Sequence, residues 1–342
     1  MDGLEHQFIG LRLRRVLLNN LDDAEAEFAH LRLKPQRLGP GKGASWTASA
    51  QLGQLGFRVT SGSGQGRVRG SAPDNAVLMQ IDMGSDGPRR VAGRAIDRDD
   101  IGVVFGGAEF DLVTARHHRA ALFSLPQTVI MDAMVHRVPG AERLINAQAQ
   151  LVLTGCAAQV TRIRALASEA FGAVDQPFGR HAPRFAYSDI LDTLVGALLS
   201  PLHRQAAARL EVAHYQRLPI VRRVEEFMRS NLAEPLTLRD LCGVARASER
   251  AVEYAFRDVY GVGAKQYLRI LRLNQVRREL HAVPAGAAMV TDIAYRYGFW
   301  HLGHFSTAYR RLFGHAPRQT RGLVQANYHP YGHSARAARR PN

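Results

Sequence analysis

The segment from Val290 to Pro317, VTDIAYRYGFWHLGHFSTAYRRLFGHAP, restricts what this chain can fold into more than any other part of it. Apolar residues recur at helical spacing up to Gly298, a residue that takes a left-handed turn without steric cost. A second apolar stripe runs from Leu302 to Leu312, and Gly314 ends it. The pattern predicts two short helices joined by a tight turn, which is the arrangement of a helix-turn-helix.

A second copy of this pattern lies upstream, in residues 236–261. Thr237 and Asp240 stand at the spacing of a capping box, and Ser248 is a favourable N-cap for the helix that follows. In the downstream copy, the pair Thr291-Asp292 is expected to supply the capping groups. Two helix-turn-helix units are therefore predicted in one domain.

Residues 264–280 join the two copies, contain no Gly or Pro, and predict one long helix. A rigid connector would hold two recognition helices about one DNA turn apart, roughly 34 Å. One monomer could then enter two successive major grooves. The arginines on the predicted basic side of this helix are Arg269, Arg272, Arg277 and Arg278.

The positive charge of the chain is concentrated in the same region. The whole chain of 342 residues carries a formal net charge of +15. Residues 219–342 contain 20 Lys and Arg against 9 Asp and Glu, an excess of 11, so the first 218 residues hold an excess of only 4. High charge also favours solubility, but its coincidence with two helix-turn-helix patterns favours a partner with a phosphate backbone.

The first two thirds of the chain have a different pattern of apolar and turn-forming residues. Residues 22–32 predict a short amphipathic helix, and residues 45–130 contain short alternating or β-branched runs separated by turn residues. This spacing favours a small antiparallel barrel or sandwich. The strands are predicted at Ala50–Thr60, Ala76–Asp82, Arg90–Ala95, Gly102–Phe105, Leu112–Ala115 and Ala121–Ser124.

After residue 140 the periodicity becomes helical, and a broad apolar stripe runs from Ile190 to Leu199. The apolar stripe is equally consistent with a dimer interface and with packing on the β-rich domain, because an apolar helix face does not show which surface covers it. We predict a multidomain α+β chain: a β-rich domain at 1–140, a helical linker or dimerisation region at 141–217, and an all-α domain with two helix-turn-helix units at 218–328. A basic, disordered tail is expected at 329–342.

Other motifs favour neither an enzyme nor a metal site. Cys156 and Cys242 are far apart and lie in helical patterns rather than in a nucleophile motif. Adjacent His117-His118 would point to opposite faces of a strand, so we expect no metal there. The Gly-rich segment 53–70 lacks the ending of a phosphate-binding loop and is interpreted as a hairpin turn. No apolar run of 18 residues and no signal peptide is present, which predicts a cytoplasmic protein with no membrane partner.

The downstream copy carries a long, specific pattern: Ala294, Gly298-Phe299, Phe305, Tyr309-Arg310-Arg311, Gly314 and Pro317. In this pattern the last third of the chain resembles the AraC/XylS family of bacterial transcription regulators. Residues 272–280 and 298–305 are most similar to the regulators of ethanolamine-utilisation operons. We interpret Ala294, Gly298, Phe299, Phe305, Gly314 and Pro317 as the structural positions of the motif.

The resemblance also implies a set of partners. It implies a cupin-like effector domain at the N-terminus, a double-stranded DNA operator, RNA polymerase, a small-molecule effector and a homodimer. Ethanolamine with cobalamin is the effector that the closer similarity suggests, and no resident cofactor is expected. The same resemblance implies that the protein is bacterial and cytoplasmic, and that it is associated with the nucleoid when it is bound to DNA.

By similarity, six positions are expected to read bases: Arg250, Glu253 and Tyr254 in the first unit, and Leu302, Gly303 and Thr307 in the second. Arginine suits guanine O6/N7, and glutamate can accept from cytosine N4. Because the second set departs from polar side chains, the first helix is expected to carry more hydrogen-bonded readout. The expected phosphate contacts, which position without specifying, are Arg246, Ser248, Arg257, His301, His304, Arg310, Arg311 and Arg318.

Three functions are consistent with the sequence. The favoured one is an effector-responsive, sequence-specific regulator that controls a catabolic operon and is not an enzyme. The alternatives are a cupin-like enzyme tethered to DNA and a constitutive DNA-binding protein without an effector.

Overall fold

The computed structural model describes residues 9–10, 12–18, 21–41, 45–135, 150–171, 184–185, 187–207, 217–282 and 288–320. The strands are β1 (Ile9–Gly10), β2 (Arg12–Leu18), β3 (Lys34–Arg37), β4 (Ser45–Leu52), β5 (Leu55–Ser63), β6 (Gly66–Ser71), β7 (Ala76–Asp82), β8 (Arg89–Val91), β9 (Arg94–Ile96), β10 (Ile101–Val104), β11 (Glu109–Val113), β12 (His117–Pro126), β13 (Gln150–Leu153) and β14 (Arg184–Phe185).

The helices of the first two thirds are α1 (Leu21–Glu27), α2 (Gln127–Val135), α3 (Ala157–Phe171) and α4 (Tyr187–Ala207). Those of the last third are α5 (Leu218–Ser230), α6 (Leu238–Ala245), α7 (Glu249–Tyr260), α8 (Ala264–Ala282), α9 (Val290–Arg296) and α10 (Leu302–Phe313). Within the described residues, none of these helices is long and apolar enough to cross a membrane.

Two large antiparallel sheets form most of the N-terminal domain, as predicted, and β1 pairs with β14 in a separate two-stranded sheet. The larger sheet has the order β13-β10-β7-β12-β5-β4-β2, and the smaller has the order β3-β6-β11-β8-β9. In the larger sheet, Phe123 of β12 stands opposite Phe57 of β5 and Met79 of β7. We call this two-layer unit the β-sandwich.

At its centre the larger sheet is buried on both faces, which explains why β7 is almost continuously apolar. Val77, Met79 and Ile81 pack with helices α2, α3 and α4 in one core cluster. Leu78 points to the other side, into the cluster between the two sheets. Because the apolar stripe of α4 lies in the first cluster, the structure shows it packed on the β-sandwich, one of the two interpretations that the sequence leaves open.

Several predicted strands have different limits. The predicted strand 50–60 is a hairpin that turns at Gly53-Gln54, because β4 and β5 pair through Leu52 and Leu55. The predicted strand 90–95 is also a hairpin, turning at Ala92 (φ 48°) and Gly93 (φ 82°), both left-handed as a tight two-residue turn requires. The Gly-rich segment 53–70 contains most of β5 and β6 rather than one turn. The predicted helix 22–32 consists of α1 followed by a 3₁₀ turn at Ala29–Leu31.

The predicted helical region 141–217 also contains a strand. β13 pairs with β10 at the edge of the larger sheet, so this part of the region belongs to the β-sandwich rather than to a helical linker. The domain limits at 140, 217 and 328 stay predictions, since residues on one or both sides of each limit lie outside the described part of the chain. The predicted tail at 329–342 lies outside it as well.

The C-terminal domain is built from local signals that the sequence carries. Thr237 accepts from the backbone N–H of Asp240, whose carboxylate accepts from Thr237 N at 2.7 Å, so the predicted capping box is formed. Ser248 caps α7 as expected. For α9 the cap residue is Met289 rather than Thr291; Asp292 accepts from the Met289 N–H at 3.4 Å.

One apolar cluster holds both helix-turn-helix units together. It includes Phe256 of α7, Leu271 of the connecting helix α8, and Phe305 of α10. Leu38 and Val113 of the β-sandwich join the same cluster. The two units therefore share one core, and that core continues into the N-terminal domain.

Candidate nucleic-acid interface

The recognition helix of the first unit, α7, divides cleanly into a buried and an exposed side. Val252, Ala255 and Phe256 are buried. The opposite side exposes Arg250 and Tyr254, predicted base-reading residues. The Arg250 guanidinium lies 5.4 Å from the centre of the Tyr254 ring and 3.5 Å from its hydroxyl, so the two side chains form one exposed unit.

Glu253, the third predicted base-reading residue of this helix, is engaged elsewhere. Its carboxylate lies against Gly263, where an added Cβ would be 2.0 Å from Glu253 Oε2. It is also 3.7 Å from the guanidinium of Arg257, one helical turn away. Glu253 is thus held at the start of α8 instead of projecting freely beside Arg250.

In the second unit, α10 also has one buried and one exposed side. Phe305 and Tyr309 are buried, while Gly303 and Thr307 are exposed. A Cβ at Gly303 would meet no described atom within 4 Å, so the backbone is open to close approach at this point. Leu302 is half-buried and packs against the shared core, which leaves only part of its side chain outward.

The structural positions of the motif are turn glycines or residues that pack against their neighbours. Gly298 and Gly314 have φ values of 76° and 85°, in the left-handed region that favours glycine. Ala294 and Phe305 are buried, and Phe299 packs on Phe305 with ring centres 5.1 Å apart. Pro317, which follows the end of α10, is buried too.

The predicted phosphate-contacting residues are exposed around the two recognition helices. They are Arg246, Ser248, Arg257, His301, His304, Arg310, Arg311 and Arg318. Arg246 occupies the turn of the first unit with φ 51°, a conformation that an arginine adopts only at a cost. The imidazole rings of His301 and His304 lie 5.9 Å apart at the start of α10.

The predicted basic side of α8 is only partly exposed. Arg269 and Arg278 are exposed, whereas Arg277 is buried with its guanidinium over the Phe313 ring at 5.8 Å. Arg272 donates to the backbone carbonyls of Leu232, at 2.9 Å, and Glu234. These two arginines stabilise the domain, so only part of the predicted basic side is available to DNA. Helical spacing alone cannot show which neighbours cover a face.

An exposed aromatic pair beside the second recognition helix escaped the sequence reasoning. Trp300 is 70% exposed and stacks on Tyr295, which is 39% exposed, with ring centres 5.8 Å apart. The sequence signal that could have indicated this pair is Trp300, a large aromatic residue in the turn of the second helix-turn-helix. The pair extends the exposed surface next to His301.

A cavity of about 200 Å³ lies between the two sheets of the β-sandwich and was also not predicted. Much of its wall is apolar, formed by residues such as Leu18, Phe28 and Leu122. Its polar residues include Arg37, on β3, and His118, on β12. His117 and His118 form the beginning of β12, and His118 lies at the cavity wall. In the described residues, no group of three or more His, Cys, Asp or Glu side chains could hold a metal ion.

The cavity is adjacent to the contact between the two domains. Arg67 of the cavity wall pairs with Asp111 at 2.5 Å within the β-sandwich and with Glu225 of α5 across the interface. The Glu225 carboxylate also accepts from Tyr260 at 2.8 Å and Tyr267 at 2.9 Å. We call Arg67, Asp111, Glu225, Arg229, Tyr260 and Tyr267 the interdomain cluster.

The charged groups of Arg67 and Glu225 in this cluster are buried, unlike those of ordinary surface ion pairs. Burial alone would raise the pKa of Glu225, but the charges of Arg67 and Arg229 outweigh it and lower the pKa to about 2. Burial raises the pKa of Tyr267, and the neighbouring Glu225 adds to this effect, so the phenol stays protonated and donates. Two sheets on one side and two helix-turn-helix units on the other are thus joined by a charged, hydrogen-bonded contact.

The exposed faces of α7 and α10, on a shared core, define a DNA-binding domain with two helix-turn-helix units. The comparisons agree: residues 241–322 match a family described as a helix-turn-helix domain. The XylDLEGF operon transcriptional activator of Pseudomonas putida is 35% identical over 102 residues, which make up 30% of this chain and 32% of that protein. XylDLEGF operon transcriptional activator 2 of the same species is 32% identical over 31% of this chain and 67% of that protein.

Solved structures give similar matches. An AraC-type transcriptional regulator from Chromobacterium violaceum is 28% identical, covers 32% of this chain and 95% of that chain, and has a TM-score of 0.30. The AraC-like transcriptional activator CuxR is 15% identical over 83% of this chain and 98% of that chain, with a TM-score of 0.41. The chain belongs to the AraC/XylS family of helix-turn-helix regulators. The match to the first of these relatives covers 32% of that protein, about a third of its length. This match lies in the DNA-binding domain.

Proposed function

We propose that this protein is an effector-responsive regulator of transcription that places α7 and α10 in successive major grooves of a double-stranded operator. The observation that carries the proposal is the pair of recognition helices on one core, each with its polar side exposed. Relatives named as operon activators support an activator, and control of a catabolic operon with recruitment of RNA polymerase is part of the proposal. A homodimer on the operator is a further part of it.

The two units divide the readout unequally in this proposal. Arg250, oriented by Tyr254, donates to guanine, while Glu253 has a smaller part because its carboxylate is held against Gly263. Thr307 and the open backbone at Gly303 form the closest approach of α10. Arg246 contacts a phosphate, which would explain an arginine in a left-handed position where glycine would cost less.

The cavity supports an effector-responsive protein over a constitutive binder, because its wall touches the DNA-binding domain through Arg67 and Glu225. Ethanolamine is a poor electrostatic match for this cavity. Three arginines line it, and no carboxylate of the described residues does, so ethanolammonium would find no counter-charge there. We expect ethanolamine, with or without cobalamin, to leave DNA binding unchanged.

The test is gel shift and footprinting on the DNA upstream of the protein's own gene, with each candidate effector and without one. We expect two protected segments about one helical turn apart, in line with two recognition helices on a rigid connector. Arg250→Ala should lose preference for the protected sequence, whereas Arg69→Ala, an exposed arginine on β6 of the β-sandwich, should not. Equal affinity of the wild-type protein for all DNA sequences would refute a sequence-specific regulator.

A further inference from the structure

One end of the cavity collects polar groups whose hydrogen-bonding capacity is unused. Among the described residues, buried nitrogen atoms without a hydrogen-bond partner include Gln36 Nε2, Arg37 Nε and His118 Nδ1. All three side chains line the cavity. Gln36 Nε2 and Arg37 Nε can only donate, and His118 Nδ1 donates in one tautomer, so the three nitrogens together suit an oxygen acceptor.

Arg37 differs from the other two arginines of the cavity wall. Arg67 pairs with Asp111 and Glu225, and Arg89 lies 3.6 Å from the Asp82 carboxylate. Arg37 donates from Nη1 to the Ser63 carbonyl at 2.6 Å, but within the described chain no carboxylate lies within ion-pair distance of it. Burial lowers the pKa of Arg37, and the nearby charge of Arg277 lowers it further, which marks a cation that lacks a counter-charge.

Two glycines of β5 and its turn make room for this polar end. A Cβ at Gly62 would lie 2.7 Å from the His118 ring, and a Cβ at Gly64 would lie 2.3 Å from the Arg37 guanidinium. A larger residue at either position would force the neighbouring side chains to shift. The Gly-rich sequence that resembles a simple turn is therefore also what allows Arg37 and His118 to occupy their positions.

The rest of the wall sets the character of the bound molecule. Leu18, Phe28, Leu78, Val104 and Leu122 surround the remaining space with apolar atoms. We propose that this cavity binds a small monocarboxylate with an apolar body, its carboxylate held by Arg37 together with Gln36 and His118. A guanidinium binds a planar carboxylate through two parallel hydrogen bonds, and one unbalanced cation calls for one negative charge.

The same strand that would hold the carboxylate contacts the DNA-binding domain. The backbone N–H and carbonyl of Arg37 bond the amide of Asn274 on α8, at 3.2 and 3.0 Å. The amide oxygen of Gln36 accepts from Arg229 of α5 at 2.9 Å. A carboxylate held by Arg37 and Gln36 would therefore bind the two residues that make these interdomain contacts, which makes it a candidate effector; this part of the proposal rests on the proposed function.

The binding test uses octanoate and 3-phenylpropanoate as probes, with octan-1-ol, octylamine and octyl phosphate as controls of charge. Titration calorimetry on the full chain should show saturable binding of at least one carboxylate, and binding of the alcohol and the amine at least tenfold weaker. Equal binding of acid and alcohol, tighter binding of the phosphate, or no saturable binding of either carboxylate would overturn the proposal. DNA need not be present, so failure of the proposed function would not affect this result.

Variants locate the site. Arg37→Gln keeps the backbone contacts to Asn274 and should weaken carboxylate binding at least tenfold, whereas Arg69→Gln, the same change at an exposed position on β6, should not. Gly102→Val provides a second variant, because its Cβ would meet no described atom closer than Gln80 Cβ at 3.8 Å and its side chain would occupy the cavity. Unchanged affinity in both Arg37→Gln and Gly102→Val, each folded by circular dichroism, would exclude this cavity.

A last measurement tests the coupling. If the bound carboxylate is an effector, saturating octanoate or 3-phenylpropanoate should change the affinity for the operator at least threefold in the wild type and not in Arg37→Gln. By reciprocity, operator DNA should change the carboxylate affinity by the same factor. Carboxylate binding without any change in DNA affinity would retain the site and reject its regulatory part.

Discussion

Replacing Glu225 by Gln should destabilise the contact between the two domains more than any other conservative change there. The carboxylate is 4% exposed and accepts from Arg67, Arg229 at 2.8 Å, Tyr260 at 2.8 Å and Tyr267 at 2.9 Å. A neutral amide of the same shape keeps the volume, loses the charge, and leaves Arg67 with Asp111 as its remaining carboxylate partner. The change therefore removes the charge and one of the two acceptor oxygens, while the shape of the side chain is kept.

The expected magnitude follows from the pKa. A carboxyl group whose pKa falls from 4.5 to about 2 has its charged form stabilised by about 3 kcal/mol. Removal of one partner from a buried ion pair costs about 3–5 kcal/mol, which agrees with that figure. We therefore expect Glu225→Gln to lower the free energy of unfolding by about 3 kcal/mol at pH 7.

The pH dependence supplies a second, independent check. Because the folded pKa is depressed, the contribution of Glu225 is fully present above pH 4.5 and is lost as the pH falls towards about 2. The difference between wild type and Glu225→Gln should therefore shrink over this window. Urea denaturation at several pH values, followed by tryptophan fluorescence and circular dichroism, measures it.

The control is Glu226→Gln, the exposed neighbour on the same helix, which should change the free energy of unfolding by less than about 0.5 kcal/mol. A loss below about 1 kcal/mol for Glu225→Gln at pH 7, or a loss that does not depend on pH between 5 and 2, would refute the reasoning. A double-mutant cycle with Arg67→Gln should then show strong coupling between the two side chains.

Three further predictions concern DNA binding and one concerns local stability. Arg250→Ala should cost about 1–3 kcal/mol of operator affinity and relax the preference at one base pair, as measured by binding to a set of single-base operator variants; equal losses on operator and random DNA would contradict base reading. Arg311→Ala should weaken binding to all sequences and reduce the salt slope by about 1, measured by titration at several salt concentrations. Arg246→Gly should stabilise the fold by up to about 1 kcal/mol while lowering affinity for every DNA sequence, so unchanged affinity would argue against a phosphate contact. Thr237→Ala should lower the free energy of unfolding by about 1 kcal/mol through loss of the α6 cap, with Arg69→Ala as an exposed control that leaves it unchanged.

The parts of the fold that were predicted well depend on short-range interactions. The Thr237 capping box joins residues three apart, and the left-handed turns at Gly261, Gly298 and Gly314 are properties of single residues. Helical spacing then distinguished the buried side of α7 from its exposed side, including Arg250. These signals are complete within a few residues, so the sequence alone could carry them.

The parts that were missed depend on distant neighbours. Strands β3 and β13 are four residues each, and only their partners in the sheet hold them in place. Arg277 has the same helical spacing as exposed arginines of α8, yet Phe313, from a separate helix, covers it. Glu253 has an outward position on α7, but its carboxylate packs against Gly263, just before α8, and so turns away from the exposed face.

By itself the sequence determined two helix-turn-helix units, a long connecting helix, a β-rich domain before them and an excess of positive charge at the DNA-binding end, because periodicity, capping and composition are local or additive. The tertiary structure alone decided that Arg67 and Glu225, 158 residues apart, meet in a buried pair, and that Gln36, Arg37 and His118 face one cavity. Such convergence depends on strand register and on the packing of two domains. No short-range pattern in the chain encodes either.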